Sequence, residues 1–336
     1  MRRVSALLLF SCATVAAAGL LAATARADGL PVLGVDVGST GVAARAGTAR
    51  YVTLPAGRQT LVARVDPRGG RVLGTRLLRG SFTIPAVAYD GSANRLSADG
   101  GTLVLIEPRQ GFPRAETTFR VLSAPRLRPL RLVRLHGDFS FDAISPHGLL
   151  MYLIQYTTPT DPNRYLVRAY NLRTGRLLGR PITDPHEQTD KMRGSPLTRT
   201  TSPDGRYAYT LYDGAGSTPF IHALDTSNST ARCIDLDMLT GNSQLWQLRL
   251  QLGSDGSTLT IHNGRTTQAL IDTHTYRVSR PAAKHTTPGN RDPRGFPTSL
   301  ITLAGIATLA ALAALSTVLR RRRPATAVER TSQPSL

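Results

Sequence analysis

The sequence is poor in cysteine. Only Cys12 and Cys233 occur among its 336 residues, and Cys12 lies in the apolar N-terminal stretch. With a single cysteine left, the main part of the chain cannot form an internal disulfide and must rely on a buried core. Residues 230–236 around Cys233 have strand character, which predicts a buried and unreactive thiol.

Residue types that mark active sites are also scarce. Aromatic residues make up 6% of the chain, which leaves few platforms for base stacking and argues against nucleic acid as a partner. None of the 7 histidines has a second histidine at the spacing of a zinc-binding helix, and no Gly-x-Ser-x-Gly elbow occurs. The sequence therefore predicts no catalytic residue, no cofactor and no metal site.

Acidic residues are outnumbered. The chain has 41 basic residues against 22 acidic ones, and residues 28–297 alone have 33 against 21, a net charge of about +12. Such a surface attracts anionic polymers or lipid head groups. All but Lys191 and Lys284 of the basic residues are arginine, a bias typical of a GC-rich genome.

The N-terminus has the pattern of a secretion signal. Arg2 and Arg3 precede an uncharged, apolar or small stretch over 4–24, and Ala25-Arg26-Ala27 places small residues where signal peptidase reads them. We expect residues 1–27 to be removed by cleavage between Ala27 and Asp28. The alternatives are lipidation at Cys12 and retention of the stretch as a second anchor.

The C-terminal region predicts a membrane anchor. Residues 298–319 contain no charge, and a helix of 22 residues would reach about 33 Å, enough for a hydrocarbon core of about 30 Å. Arg320, Arg321, Arg322 and Arg323 follow at once and predict a cytoplasmic tail over 320–336. The expected topology is a single-pass protein of the plasma membrane with its N-terminal domain outside. A stalk over 281–297, rich in proline and glycine, joins domain to membrane.

Between the two ends, one turn motif recurs, and each copy precedes a run of strand-forming residues. The copies are Ser97-Ala98-Asp99-Gly100, Ser145-Pro146-His147-Gly148, Ser202-Pro203-Asp204-Gly205 and Gly253-Ser254-Asp255-Gly256, with a degenerate copy at Ala46-Gly47-Thr48. Their glycines are 53, 48, 57 and 51 residues apart. Glycine adopts positive φ without steric cost, so the motif predicts tight hairpins.

A second turn motif repeats in phase with the first. Val65-Asp66-Pro67-Arg68-Gly69-Gly70 is similar to Tyr170-Asn171-Leu172-Arg173-Thr174-Gly175 and lies two periods away. Each unit thus predicts four antiparallel strands, which cannot bury both faces unless neighbouring units stack.

These units resemble the blades of WD40-like, TolB-like and YVTN-type β-propellers, in which such turns join the first two and the last two strands. The resemblance implies an all-β domain over 28–280, a β-propeller of about five four-stranded blades. The Gly-His and Trp-Asp pairs of strict WD40 repeats are absent, and a β-sandwich is the alternative.

The densest basic stretch offers a candidate binding site. Arg126, Arg128, Arg131 and Arg134 fall in a segment that predicts an outer strand, where charge also prevents edge-to-edge pairing. Together they are a candidate patch for anionic cell-wall polymer or lipid heads.

The leading functional hypothesis is a membrane-anchored, surface-displayed, non-enzymatic binding or scaffold protein. Its expected partners are the lipid bilayer, another surface protein or an anionic wall polymer. The alternatives are an enzyme, or an accessory subunit of one, acting at the propeller channel, and an electrostatic tether to the wall.

Overall fold

The computed structural model describes residues 41–281, apart from 45–46, 69–70, 93–95 and 187–191. The regular secondary structure of this part of the chain is almost entirely β-strand, arranged as five antiparallel sheets that follow one another in sequence. Three short 3₁₀ turns occur at Gly214–Gly216, Asp237–Leu239 and Leu245–Gln247.

Each sheet is built from consecutive strands in simple up-and-down order. Sheet 1 contains β1 (Val42–Ala43), β2 (Arg50–Ala56), β3 (Gln59–Val65) and β4 (Val72–Arg79). Sheet 2 contains β5 (Thr102–Ile106), β6 (Glu116–Ser123) and β7 (Arg128–His136). Sheet 3 contains β8 (Phe139–Ile144), β9 (Leu150–Tyr156), β10 (Tyr165–Asn171) and β11 (Arg176–Leu177). Sheet 4 contains β12 (Pro196–Thr201), β13 (Tyr207–Tyr212), β14 (Phe220–Asp225) and β15 (Thr230–Asp235). Sheet 5 contains β16 (Leu248–Leu252), β17 (Thr258–Asn263), β18 (Thr266–Asp272) and β19 (Val278–Ser279).

The recurring glycines form the predicted hairpins. Gly47, Gly100, Gly148, Gly205 and Gly256 all have φ between +63° and +75°. In the best copy, the Ser202 hydroxyl donates to the Asp204 carboxylate at a short distance and accepts the N–H of Tyr207 at 2.8 Å. The motif therefore closes its turn with its own side chains, which confirms the predicted repeat.

Buried apolar clusters join each sheet to the next. Alternate residues of β5 face opposite neighbours: Leu103 and Leu105 pack toward sheet 1, Val104 and Ile106 toward sheet 3. A strand buried on both faces needs a continuous apolar run, which explains the sequence Thr-Leu-Val-Leu-Ile. Each of the four interfaces can be represented by one residue from either sheet. In chain order these are Val62 with Leu103, Phe119 with Met151, Tyr152 with Ala208, and Leu211 with Ile261.

Sheet 2 has three regular strands because the segment before β5 takes an irregular path. Thr83 bridges to Ile106 and Leu96 bridges to Leu103, so both ends of the segment lie beside β5. Between them the chain leaves the sheet and meets sheet 4, where Tyr89 N–H donates to the Pro196 carbonyl at 3.0 Å. Residues 84–92 are called the crossing segment, and Ala86, Val87 and Ala88 within it are buried.

The predicted all-β fold is confirmed, and five repeated antiparallel sheets fit a β-propeller. Four sheets have the predicted four strands, and the crossing segment accounts for the exception. The β-sandwich alternative, two sheets packed face to face, does not describe five sheets that each pack on the next.

The lower end of each sheet is defined as the end that carries its copy of the first turn motif, with Gly47, Gly100, Gly148, Gly205 or Gly256, and the upper end is the opposite one. At the lower end, the turns of sheets 2 and 3 touch: Asp99 N–H donates to the Pro146 carbonyl at 3.1 Å. Gly205 of sheet 4 also lies against Ala98 of sheet 2. Turns from three sheets therefore meet at one place.

Candidate functional site

Polar side chains concentrate on the first strand of sheet 3. Asp138 directly precedes β8, and Ser140 and Asp142 lie within it. The register with β9 shifts between Phe141 and Ala143, which makes Asp142 the extra residue of a β-bulge. A bulge redirects one side chain without interrupting the sheet. Both Asp138 and Asp142 are buried.

Asp138 is held by two arginines from sheet 2. Arg109 and Arg114, both on the loop between β5 and β6, form ion pairs with its carboxylate, and the Arg114 N–H donates to Oδ2 at 3.0 Å. The pKa of Arg114 is lowered to about 10. Burial is the largest cause and repulsion from Arg109 the second, whereas attraction to Asp138 acts in the opposite direction. The Arg114 guanidinium therefore stays protonated at neutral pH, and two arginines share one carboxylate.

Asp142 is held by one arginine from sheet 4. Arg199 on β12 donates to both the carboxylate and the backbone carbonyl of Asp142, and its Nε donates to the Thr210 hydroxyl at 2.7 Å. The side chains of the ion pair are 1% and 2% exposed. Burial at this level is tolerated because each charge is neutralised by its partner.

A row of aromatic rings runs along the upper ends of sheets 2 to 4. Neighbouring ring centroids are 5.2–6.1 Å apart, within the range of favourable aromatic pairs. The row consists of Phe112, Tyr156, Tyr165, Tyr212 and Phe220.

Burial controls the chemistry of these tyrosines. It is the main cause that raises the pKa of Tyr156, Tyr165 and Tyr212 above the ordinary value of a phenol. Tyr165 also donates its hydroxyl proton to the Gly194 carbonyl at 2.9 Å. All three therefore stay protonated at neutral pH and serve as packing and hydrogen-bonding groups.

A small cavity lies where the polar and aromatic groups meet. It has a volume of about 20 Å³ and is lined by residues of sheets 3 and 4 and of the crossing segment, Ser140, Asp142 and the three tyrosines among them. Asp142 Oδ2 is buried and has no hydrogen-bond partner in the protein. A space of this size suits one water molecule or one small donor group.

The three arginine–aspartate ion pairs limit what this site can do chemically. Both carboxylates are already engaged by arginine side chains, and a phenol with a raised pKa is a poor nucleophile. Within the described ranges, no three His, Cys, Asp or Glu side chains are grouped so as to hold a metal ion.

The predicted basic patch is divided between two faces of sheet 2. β7 is its edge strand, in agreement with the predicted outer strand, but Arg126 lies in the turn before it. Arg131 pairs with Val121 on the face toward sheet 3, where its guanidinium donates to the Arg173 carbonyl at 3.1 Å. Arg134 pairs with Thr118 on the other face and lies 3.8 Å from Glu116. The exposed members without such a contact are Arg126 and Arg128, and the patch stays a prediction.

The predicted signal, stalk and anchor lie outside the described residues. This applies to the cleavage residues Ala25, Ala27 and Asp28 and to the arginines 320–323. In the portion of the chain that the structure describes, no helix has the length and apolar character needed to cross a membrane.

Sequence reasoning missed the paired aspartates and arginines. One signal was present: Phe139–Ile144 is an apolar strand interrupted by Asp142, and Pro196–Thr201 of the next repeat carries Arg199. Opposite charges on the first strands of successive repeats indicate an ion pair between neighbouring sheets. Arg109 and Arg114 lie in a long loop with no such periodicity.

No protein-family model matches the chain, and no curated protein sequence matches it. Among solved structures, hydrazine synthase from Kuenenia stuttgartiensis is 16% identical, with 74% of this chain and 69% of that chain covered and a TM-score of 0.41. TolB from Acinetobacter baumannii is 16% identical, with coverages of 69% and 51% and a TM-score of 0.39. The β-propeller domain of Cps50 (Swd1) from Myceliophteria thermophila is 11% identical, with coverages of 80% and 73% and a TM-score of 0.39. At these scores the similarities carry no argument, and the architecture rests on the strand pairing described above.

Proposed function

We propose that the protein is a binding or scaffold protein, anchored in the plasma membrane and displayed on its outer side, and that it is not an enzyme. The observation that carries the proposal is the state of Asp138 and Asp142. These two acids on the first strand of sheet 3 are both buried and both neutralised by arginine. Because both carboxylates form ion pairs with arginines of a neighbouring sheet, we assign them a structural role and assign binding to the outer surface.

The proposed location rests on the sequence. The signal pattern over 1–27 and the uncharged stretch over 298–319 with its arginine quartet support export followed by anchoring. The proposed outer domain, with a net charge of about +12 over residues 28–297, would face anionic lipids and wall polymers.

The test uses the full-length protein in intact cells. A membrane-impermeant crosslinker should join it to a surface partner, and added protease should degrade the domain without cell lysis. The purified full-length protein should show no turnover on a panel of peptide and wall-glycan substrates. Reproducible turnover would refute the non-enzymatic assignment, and protection from protease in intact cells would refute surface display.

A second candidate function is ligand binding at the cavity beside Asp142, as expected for an accessory subunit that acts at the channel. The buried Oδ2 of Asp142, which has no protein partner, favours this candidate because it can accept a hydrogen bond from a hydroxyl or amine. A small ligand that raises the melting temperature of the full-length protein, but not of the Ser140→Ala variant, would support it. Equal stabilisation of both proteins would refute it.

A further inference from the structure

The single tryptophan of the chain lies on the surface. Trp246 is 64% exposed, and Val72, at 61%, follows it among the large apolar side chains that the structure describes. It belongs to the 3₁₀ turn Leu245–Gln247 that leads into β16, at the upper end of sheet 5. A side chain with this much apolar area is costly to leave in water, so its position calls for an explanation.

A second exposed aromatic side chain lies on the same end. Arg249 links the two: its Nη1 donates to the Trp246 carbonyl at 2.9 Å, and its Nε lies 3.8 Å from the carboxylate of Asp90. Tyr89, next to Asp90 in the crossing segment, is 47% exposed. The name Trp246 surface is used for the four residues Trp246, Tyr89, Asp90 and Arg249.

The chain leaves sheet 5 toward this same end. β19 pairs antiparallel with β18, with Ile271 opposite Val278 and Leu270 opposite Ser279. The chain after Ser279 therefore runs toward the start of β18, next to the hairpin at Gly264 and Arg265 and level with the start of β16. Arg265 and Arg280 are exposed on this side of the sheet.

The distance to the proposed anchor is short. Residues 281–297 span 17 positions, at most about 60 Å when fully extended and less in practice. A tether of this length holds the upper end of sheet 5 at a high effective concentration relative to the bilayer. At Ser279 the chain runs toward the end of sheet 5 that carries the Trp246 surface and away from the turns at the lower end.

The chemistry of the surface suits a lipid head-group region. Tryptophan and tyrosine are enriched at the membrane–water interface, where an apolar ring and a polar edge are both accommodated. Each arginine near an anionic leaflet contributes about 1 kcal/mol. Arg249, Arg265 and Arg280 supply this charge, and Asp90 is the acid that the structure pairs with Arg249.

We propose that the Trp246 surface docks on the head-group region of the membrane in which the chain is anchored. The inference rests on the proposed anchoring. It assigns the upper end of sheet 5 to the lipid and the lower ends of the sheets to the aqueous side, where protein partners bind.

The full-length protein reports on this contact without any label, because all its tryptophan emission comes from Trp246. The protein is reconstituted into vesicles of phosphatidylcholine and phosphatidylglycerol, prepared with and without lipids brominated near the head group. We expect the emission to shift to shorter wavelength relative to the protein treated with urea, to lose intensity in brominated vesicles, and to be only weakly quenched by aqueous acrylamide.

A matched control moves the tryptophan to the other end of the same sheet. Trp246→Phe combined with His274→Trp places the indole in the exposed turn after β18, at the lower end of sheet 5. Its emission should be the same in both kinds of vesicle and should be quenched strongly by acrylamide.

Flotation of the vesicles after a carbonate wash separates this inference from the anchoring itself. Protein that floats, with Trp246 emission unaffected by brominated lipid, refutes docking and leaves the anchoring intact. A shift to shorter wavelength without quenching by lipid also refutes docking and indicates that a second copy or another protein covers the surface. Equal quenching of the wild type and the control variant refutes the assigned orientation. Protein that does not float refutes the anchoring, and the docking proposal falls with it.

Discussion

Arg199 and Asp142 connect the first strands of two neighbouring sheets through a fully buried ion pair. Arg199 lies on β12 and Asp142 is the bulged residue of β8, and both side chains are almost completely shielded from water. The backbone N–H of Arg199 also donates to the Ser92 hydroxyl in the crossing segment at 3.0 Å, so three parts of the chain meet at this pair. The pair therefore specifies how sheets 3 and 4 fit together.

Removing one partner of the pair should destabilise the protein strongly. Arg199→Met leaves the carboxylate of Asp142 buried without its counter-charge, and we expect the free energy of unfolding to fall by about 3–5 kcal/mol. The double variant Arg199→Met/Asp142→Leu removes both charges and should recover part of this loss. Urea denaturation of the full-length protein in detergent measures both effects.

The matched control for this prediction is an exposed pair. Arg164 lies 3.3 Å from Asp161, with side chains 70% and 41% exposed. Arg164→Met should change the free energy of unfolding by no more than about 1 kcal/mol. An equally small effect of Arg199→Met would contradict the role assigned to the buried pair.

The lower-end turns should differ in their tolerance of a methyl group. Gly205 and Gly256 occupy the same turn position with φ of +74° and +75°, so alanine at either position costs about 1–2 kcal/mol of backbone strain. A Cβ at Gly205 would also lie 2.6 Å from the Cβ of Ala98, whereas nothing lies within 4 Å at Gly256. We expect Gly205→Ala to cost a further 1–3 kcal/mol, roughly the penalty of overpacking. Thermal denaturation of the two variants side by side tests this, and equal melting temperatures would show that the turns do not meet.

Stability should fall in acid partly because of Asp225. Burial raises the pKa of this carboxylate, but hydrogen bonds from the Arg206 side chain and from the N–H groups of Asn228 and Ser227 outweigh burial and leave the pKa lowered. A folded pKa below the unfolded value of about 3.9 means that the ionised group stabilises the protein above about pH 4. This contribution is lost as the pH falls through the lowered folded pKa.

The variant Asp225→Asn checks that sign. The difference in urea midpoint between wild type and variant should be largest at pH 7 and should shrink below about pH 4. A difference that stays constant from pH 7 to pH 3 would show that the carboxylate charge of Asp225 does not contribute.

Binding to anionic polymer should depend on only part of the predicted arginine patch. Arg126 and Arg128 are exposed, so changing both to Gln should weaken binding of the full-length protein to a polyanion such as polyphosphate. Binding should also decrease as salt is raised, since exposed charges are screened beyond about 10 Å at 0.1 M salt.

Arg131→Gln is the informative comparison. The guanidinium of Arg131 donates to the Arg173 carbonyl in the next sheet, so we expect this change to lower stability more than binding. Binding that resists both salt and the Arg126→Gln/Arg128→Gln change would eliminate the electrostatic tether.

Much of the fold could be predicted from local sequence because the repeats are local. The turn at Ser202 to Gly205 closes with its own serine and aspartate, so four residues suffice to specify it. Cys233 is buried, as its strand context predicted. The path of residues 83–92 could not be predicted in this way, because hydrogen bonds such as that from Tyr89 to Pro196 join residues about a hundred positions apart.

The candidate site was less accessible to sequence reasoning. A basic stretch such as 126–134 is visible as composition, and strand alternation alone puts Arg131 and Arg134 on opposite faces. Only the packing of sheet 2 on sheet 3 decides that Arg131 meets the Arg173 carbonyl. Likewise, the 57 positions between Asp142 and Arg199 equal one repeat step, that from Gly148 to Gly205, but only the packing of the two sheets shows that these side chains meet.

The sequence by itself predicted the turns, the all-β character and about five repeats, because hairpin geometry and alternation of side chains depend on neighbouring residues. It also carries the proposed export and anchoring signals, which are read as linear segments. Only the tertiary structure decided that Asp142 and Arg199 neutralise each other and that Trp246 and Tyr89 share one end of the sheets. Those relationships arise when sheets stack, and stacking brings together residues whose distance along the chain says nothing about their distance in space.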